Sequence, residues 1–138
     1  MTDLKQLINE ERARIIEIRR DLHRIPEIGF QVEKTSDYVA RCLKAEGLSV
    51  QTGIAHTGVV GLMETGSPGP CLMIRADMDA LPVREETGLP FASTRENAMH
   101  ACGHDGHMAM ALGAARILNR FKQSLKGCVK FLFQPAEE

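Results

Sequence analysis

The chain of 138 residues is 43% hydrophobic and 25% charged, with a formal net charge of -1, which is typical of a single soluble globular domain that buries a core. This near-neutral charge and the scarcity of aromatic residues (five Phe, one Tyr and no Trp) argue against a nucleic-acid-binding surface. Because no apolar run approaches the roughly 20 residues that span a bilayer, and the N-terminus lacks the apolar stretch of a signal peptide, we expect a cytoplasmic protein with no membrane partner.

The first part of the chain shows helical periodicity. Apolar residues recur at helical spacing between residues 4 and 25, with charged residues between them, and predict a long amphipathic helix that ends near Pro26. A second helix is expected to begin at a cap formed by Thr35 or Ser36 and to end at Gly47.

From residue 48 the pattern changes to short apolar runs separated by Gly and Pro. The runs at 50–52, 58–63 and 71–76 predict three strands. The Ser-Pro-Gly-Pro sequence at 67–70 predicts a hairpin turn between the second and third strands.

A polar segment over residues 82–98 predicts a long loop, which in a compact domain is usually functional. Renewed helical spacing predicts a third helix over about 105–122, and a last strand is expected over 128–133. Helices followed by strands, and then by a helix and a strand again, predict an α/β layer architecture.

The four cysteines do not suggest a disulfide framework. Cys42 lies in a helical pattern, and Cys71 and Cys128 lie at the heads of predicted strands, so we predict that these three are buried free thiols in a reducing compartment. Cys102 differs because its neighbours are polar and include several histidines.

The segment from residue 99 to residue 107 contains one thiol and three imidazoles. Cys102 and His104 can turn onto one metal ion if the backbone between them forms a tight loop, which Gly103 permits. The alternatives are a small structural zinc site or ordinary surface histidines.

Two adjacent carboxylates at the end of the sequence suit two different roles. Glu138 can bind a metal ion while Glu137 moves protons. Together with Cys102 and His104, Glu138 would leave an open coordination position for water, as in catalytic zinc sites. Cys102 also precedes a predicted helix, whose N-terminal dipole favours a thiolate.

Asp77 and Asp79 follow the predicted strand 71–76. Alternation along an extended chain would aim both carboxylates the same way, at the strand end where open α/β sheets bind ligands. The alternative roles are a helix cap or loop hydrogen bonds, and Arg75 could simply neutralise the pair.

The other histidines support weaker interpretations. His23 is interpreted as a partly exposed histidine near the end of the first helix, and His56 as a turn residue. Cys102 could act as a nucleophile with His104 or His107 as its base, but no residue that would orient such a base is evident.

Four segments, in order and with suitable spacing from about residue 12 to the last residue, resemble signatures of one group of enzymes. This is the amidohydrolase branch of the zinc aminoacylase/carboxypeptidase superfamily, which includes hippurate hydrolases, N-acyl-amino-acid amidohydrolases and plant auxin-conjugate hydrolases. The segments are Arg20-Asp21-Leu22-His23-x-x-Pro26-Glu27-x-Gly29-Phe30, Arg75-Ala76-Asp77-Met78-Asp79-Ala80-Leu81-Pro82, Met99-His100-Ala101-Cys102-Gly103-His104-Asp105-Gly106-His107 and Phe133-Gln134-Pro135-Ala136-Glu137-Glu138.

The resemblance implies a two-metal hydrolase that cleaves the amide bond of an N-acyl amino acid, with hippurate-like substrates as the nearest expectation. By motif match, Cys102 and His104 would be metal ligands, with the thiolate bridging both ions, and Glu138 a further ligand. Glu137 would be the general base, and Asp79 would orient a metal-bound imidazole. The ions would be divalent Zn, Mn, Co or Ni, because the mixed ligand set accepts several metals.

Members of this family are much longer, and they are homo-oligomers with a lid domain and two further ligand histidines. We therefore expect residues 1–138 to be the N-terminal portion of a three-layer α/β/α catalytic domain, without the lid, that hydrolyses little by itself. The other readings are a non-catalytic remnant that associates with a complete subunit and a small structural metal-binding domain.

Overall fold

A computed structural model describes residues 3–138. All predicted helices and strands are present, with ends that differ from prediction by a few residues. None of the described helices is both long and apolar enough to cross a bilayer. The elements are α1 (Leu4–Arg24), α2 (Glu33–Ala45), β1 (Ser49–Ile54), β2 (Gly58–Glu64), β3 (Cys71–Asp77), α3 (His104–Arg120), a short 3-10 helix (Lys122–Ser124) and β4 (Cys128–Gln134).

The start of α2 differs from the predicted cap. The helix begins at Glu33, before Thr35, and no side chain caps it. Thr35 instead donates hydrogen bonds from its backbone amide and its hydroxyl to the buried carboxylate of Glu27, at 2.8 and 2.9 Å. The hydroxyl that suggested a cap therefore attaches the first turn of α2 to the segment that follows α1.

The four strands form one sheet in the order β1-β2-β4-β3. β4 pairs antiparallel with β2 and parallel with β3, so β2 and β3 are not neighbours and the predicted hairpin at 67–70 is wrong. The turn instead crosses the start of β4, where the Gly127 amide donates to the Ser67 carbonyl at 2.8 Å. Gly127 has a φ of +81°, and an added Cβ would lie 1.9 Å from the Pro70 carbonyl oxygen, so this crossing requires glycine.

The helices cover one face of the sheet. An added Cβ on Gly61 of β2 would lie 3.0 Å from Leu43 of α2, which shows how closely this helix packs. On the opposite face no helix of residues 3–138 covers the strands, and Met73 is 57% exposed. The described chain thus forms one helix layer and the sheet layer of the expected architecture. The largest apolar core side chains are Ile18, Leu22, Leu43, Met63, Met78, Met108, Leu112, Phe131 and Phe133.

Cys71 and Cys128 form a disulfide, so the prediction of free thiols at these positions is wrong. The two residues are register partners at the starts of the parallel strands β3 and β4, with Cα atoms 4.5 Å apart. The sequence pattern could not reveal this pairing because it depends on which strands are neighbours. Cys42 is free, as predicted, and burial raises the pKa of its half-buried thiol.

Candidate metal centre

Three potential ligands from two distant parts of the sequence meet beside the ends of β3 and β4. One ligand atom from each of Cys102, His104 and Glu138 lies within 4.8 Å of the other two. The His104 Nε2 atom is 3.8 Å from Glu138 Oε1 and 3.6 Å from Glu137 Oε2. The structure therefore brings the three predicted ligands together, with the predicted general base beside them.

The turn between Cys102 and His104 depends on Gly103. This residue has a φ of +91°, in the left-handed region, and occupies the position before the first residue of α3. The turn leaves the Cys102 side chain exposed and the His104 side chain only 2% exposed. Because glycine has no Cβ, it adopts this conformation without steric cost, and the two donors can face the same point.

Asp79 is buried and connects the two parts of the centre. Its backbone carbonyl oxygen lies 2.8 Å from His104 Nδ1, which directs the Nε2 atom towards the other ligands. Its carboxylate accepts hydrogen bonds from the backbone amides of Glu137 and Glu138, both at 3.1 Å. Asp79 Oδ1 also lies 3.6 Å from His104 Nδ1, so both the carbonyl and the carboxylate face the imidazole, and the carboxylate in addition holds the chain that carries the two glutamates.

The electrostatics of Cys102 differ from the expectation based on the helix dipole. The pKa of its thiol is raised, mainly because it is hydrogen-bonded to the Glu138 carboxylate, and the nearby negative charges of Glu137 and Asp77 add to this effect. The direction of this shift is opposite to the one expected from the dipole of α3. A cation that replaces the shared proton would reverse this balance, since metal binding favours the thiolate.

The donor set fits a divalent ion. In a tetrahedral site with bonds of about 2.0–2.3 Å to thiolate, imidazole and carboxylate, two ligand atoms on one ion lie about 3.3–3.7 Å apart. His104 Nε2 and Glu138 Oε1, 3.8 Å apart, are already near this spacing, and a pair at the 4.8 Å limit of the set would have to close by about 1 Å through side-chain rotation. Three protein ligands leave a position for water, and such an open site beyond the strand ends is typical of metal-dependent hydrolases.

A second group of potential ligands, Asp77, His104 and His107, shares one residue with the first. Because His104 Nδ1 already faces a carbonyl oxygen, its single remaining nitrogen can bind only one ion. Asp77 is also paired with Arg75 at 2.6 Å, which agrees with the alternative that this arginine neutralises it. The described residues therefore provide one ion position at a time.

His23 is buried, so the prediction that it is partly exposed is wrong. Its side chain is 2% exposed, with Nδ1 2.7 Å from Asp105 Oδ2 and Nε2 3.1 Å from Glu85 Oε1. Arg19 contacts the same Asp105 oxygen at 2.8 Å. Two sequence signs point to this cluster: the four-residue spacing of Arg19 and His23 places both on one helix face, and His23 and Asp105 lie in two of the segments that carry the family resemblance.

His100 is a further buried histidine, besides His23 and His104, and sequence reasoning did not single it out. Within residues 3–138 neither of its ring nitrogens has a hydrogen-bond partner, and its ring lies 6.4 Å from that of His23. Burial lowers the pKa of His100 to about 4. This ring is therefore neutral near pH 7 and cannot supply a positive charge to the centre.

Comparison with known proteins identifies relatives of the chain. Residues 73–138 match the model of Peptidase family M20/M25/M40. The chain is 47% identical over 124 residues to N-acetyl-L-cysteine deacetylase of Bacillus subtilis, a match that covers 90% of this chain and 30% of that protein. It is 43% identical over 136 residues to N-acyl-L-amino acid amidohydrolase of Geobacillus stearothermophilus, covering 99% and 37%.

The fold agrees with these relatives. The crystal structure of the Bacillus subtilis YXEP protein, a dinuclear metal-binding peptidase of the M20 family, superposes with a TM-score of 0.88 at 45% identity, covering 94% of this chain and 36% of that one. The family resemblance and the fold class are thus confirmed: the chain is related to the M20 amidohydrolases and matches the N-terminal part of their structures. It spans about a third of the length of the curated relatives it matches.

Proposed function

We propose that the chain forms the N-terminal part, residues 1–138, of the catalytic domain of a metal-dependent amidohydrolase. The substrate would be a small N-acyl amino acid, with hippurate-like compounds as the nearest candidates. One observation carries this proposal: Cys102, His104 and Glu138 approach one another within 4.8 Å. The names of the deacetylase and amidohydrolase relatives support the substrate class.

The proposed cofactor is a divalent ion, Zn, Mn, Co or Ni, held here by Cys102, His104 and Glu138, with two ions in a complete active site. When bound, the ion would lower the pKa of a water molecule and polarise the amide carbonyl. Asp79 supports the ligands through its carbonyl contact with the imidazole. The dinuclear centre named for the YXEP relative supports the second ion, whose other ligands would lie outside this segment.

Glu137 is the proposed general base. Its side chain is 42% exposed, so it can reach a water molecule, and its Oε2 atom lies 3.6 Å from His104 Nε2. It would take a proton from the attacking water and pass that proton to the leaving amine. The hydrogen bond from its backbone amide to Asp79 fixes the main chain and leaves the carboxylate free to move between these positions.

On its own, this segment would hydrolyse little or nothing. Three ligands can hold one ion, and the uncovered sheet face offers no second wall to enclose a substrate. The complete protein would be a homo-oligomer. The Cys71–Cys128 disulfide is typical of an oxidising compartment, so it argues against the cytoplasmic location expected from the sequence.

A chimera tests the proposal. Residues 1–138 would replace the matching segment of the Geobacillus amidohydrolase, and hydrolysis of N-acetyl and N-benzoyl amino acids would be measured. The chimera should hydrolyse these substrates, and Glu137→Gln should lower kcat by about 10²–10⁴-fold with unchanged metal content. The matched variant Glu138→Gln should lose metal first. A folded, metal-loaded chimera whose kcat is insensitive to Glu137→Gln would refute the catalytic assignment and leave a structural metal site.

A further inference from the structure

We propose that His23 is a positioning residue for the candidate metal centre, and that it acts through Asp105 on the turn that carries Cys102 and His104. This inference rests on the metal centre described under the proposed function. The ring nitrogens of His23 contact Asp105 and Glu85, and none of the three ligands is among these partners. Its importance follows from the two buried carboxylates that its ring nitrogens contact.

Asp105 is the first link in the argument. It follows His104 directly in the first turn of α3 and is fully buried. Its Oδ2 atom lies 2.7 Å from His23 Nδ1 and 2.8 Å from Arg19 Nε, while its Oδ1 accepts the Gly106 amide at 2.8 Å. These contacts attach the start of α3 to α1. A shift of Asp105 would carry the adjacent His104 with it.

The Nε2 atom of His23 contacts a different carboxylate, that of Glu85. Nε2 faces Glu85, whose side chain is buried and also accepts hydrogen bonds from the Ser93 amide, at 2.6 Å, and from the Thr87 hydroxyl. Burial alone would raise the pKa of Glu85, but these hydrogen bonds and His23 outweigh it and lower the pKa. This carboxylate is therefore an anion that holds the loop over residues 82–98. Only the Nδ1 contact leads to the metal ligands.

Two amide substitutions separate the two contacts. The side-chain amide of asparagine can place its NH₂ group near the position of histidine Nδ1, and that of glutamine near Nε2. His23→Asn therefore keeps a donor towards Asp105 and loses the one towards Glu85. His23→Gln does the reverse. Both variants remove the imidazole, so a purely structural role would predict similar effects from both.

The experiment measures Co²⁺ affinity of the purified 138-residue chain, followed by the thiolate-to-cobalt absorption band. His23→Gln should weaken Co²⁺ binding about 10- to 100-fold, the usual effect of losing a group that holds a metal ligand in place. His23→Asn should bind within about threefold of the unmodified chain, because the donor to Asp105 remains. Circular dichroism establishes that each variant is folded.

A matched control lies on the same pair of helices. Glu11 of α1 bonds Arg116 of α3 at 2.8 Å, far from the start of α3, so Glu11→Gln loosens the helix pair without touching Asp105. It should leave Co²⁺ affinity unchanged. If His23→Gln does not fold, Arg19→Gln takes its place and should also weaken Co²⁺ binding, since this side chain contacts the same Asp105 oxygen at 2.8 Å and is 38% exposed.

The outcomes are distinct. Equal losses in His23→Asn and His23→Gln, or equal losses in His23→Gln and the Glu11 control, would overturn the positioning role, as would no loss in His23→Gln. In each of these cases the unmodified chain still binds Co²⁺ through its thiolate, so the proposed metal centre stands. If the unmodified chain shows no thiolate band, the metal centre itself fails, and the positioning role fails with it.

Discussion

Reduction of the Cys71–Cys128 disulfide should destabilise the fold strongly. The bond joins residues separated by 57 positions in the sequence. In the chain-entropy model, opening a loop of this length stabilises the unfolded state by about 4 kcal/mol at 25 °C. For a domain of this size the melting temperature should fall by roughly 15 °C. The strand pairing around the two cysteines would remain, so the reduced chain should still fold below this lower temperature.

The assay is thermal unfolding followed by circular dichroism, with and without an excess of a dithiol reductant and with a chelator present. The matched control is the double variant Cys71→Ser/Cys128→Ser, which should melt near the temperature of the reduced chain and should not respond to reductant. A thiol count must show two additional free thiols after reduction. If the unmodified chain gains these thiols but keeps its melting temperature within about 2 °C, the argument from loop length is wrong.

Three further substitutions have defined outcomes. Asp79→Ala removes the acceptor of two partly exposed backbone amides at the C-terminal glutamates, so urea unfolding should show a loss of about 1–3 kcal/mol, and Asp79→Asn should lose less. Gly103→Ala forces a residue with a side chain into the left-handed region, so the free energy of unfolding should fall by about 1–2 kcal/mol in the same assay. The control Gly106→Ala, where an added Cβ meets nothing within 4 Å, should not show this strain. The hydrogen bond from Arg116 lowers the pKa of Glu11 below its ordinary value of 4.5. Above pH 4.5 the contact therefore stabilises the fold. This stabilisation is lost as the pH falls through the pKa that Glu11 has in the folded chain. The difference in melting temperature between the unmodified chain and Glu11→Gln should therefore shrink as the pH falls below about 4.5, and a constant difference from pH 3 to pH 7 would contradict this.

The helices and strands were predictable because their signals are local. The apolar spacing of α1 and α3 and the short runs of β1 to β4 depend on neighbours within a few residues, and each element formed where its pattern lies. The convergence of Cys102, His104 and Glu138 was predictable for a different reason. The tight turn at Gly103 is a local property, and the adjacent carboxylates Glu137 and Glu138 suggested a metal ligand beside a proton carrier, an assignment that the family resemblance reinforced.

The errors of prediction concern contacts between distant parts of the chain. The turn at 67–70 has the composition of a hairpin, yet β4 enters between the two strands it joins. The same insertion brings Cys128 beside Cys71 and creates the disulfide. His23 is buried because α3 and the loop over residues 82–98 close over it, and neither segment is near it in sequence. Patterns within one element cannot show which other element will cover it.

The most direct test of the metal centre is the absorption spectrum of the 138-residue chain titrated with Co²⁺. We predict a thiolate-to-cobalt band that saturates at one ion per chain, since the described residues provide one ion position at a time. The band should be abolished by Cys102→Ser and weakened at least tenfold in affinity by Glu138→Gln. A band that persists unchanged in Glu138→Gln, or no band in the folded unmodified chain, would contradict the account.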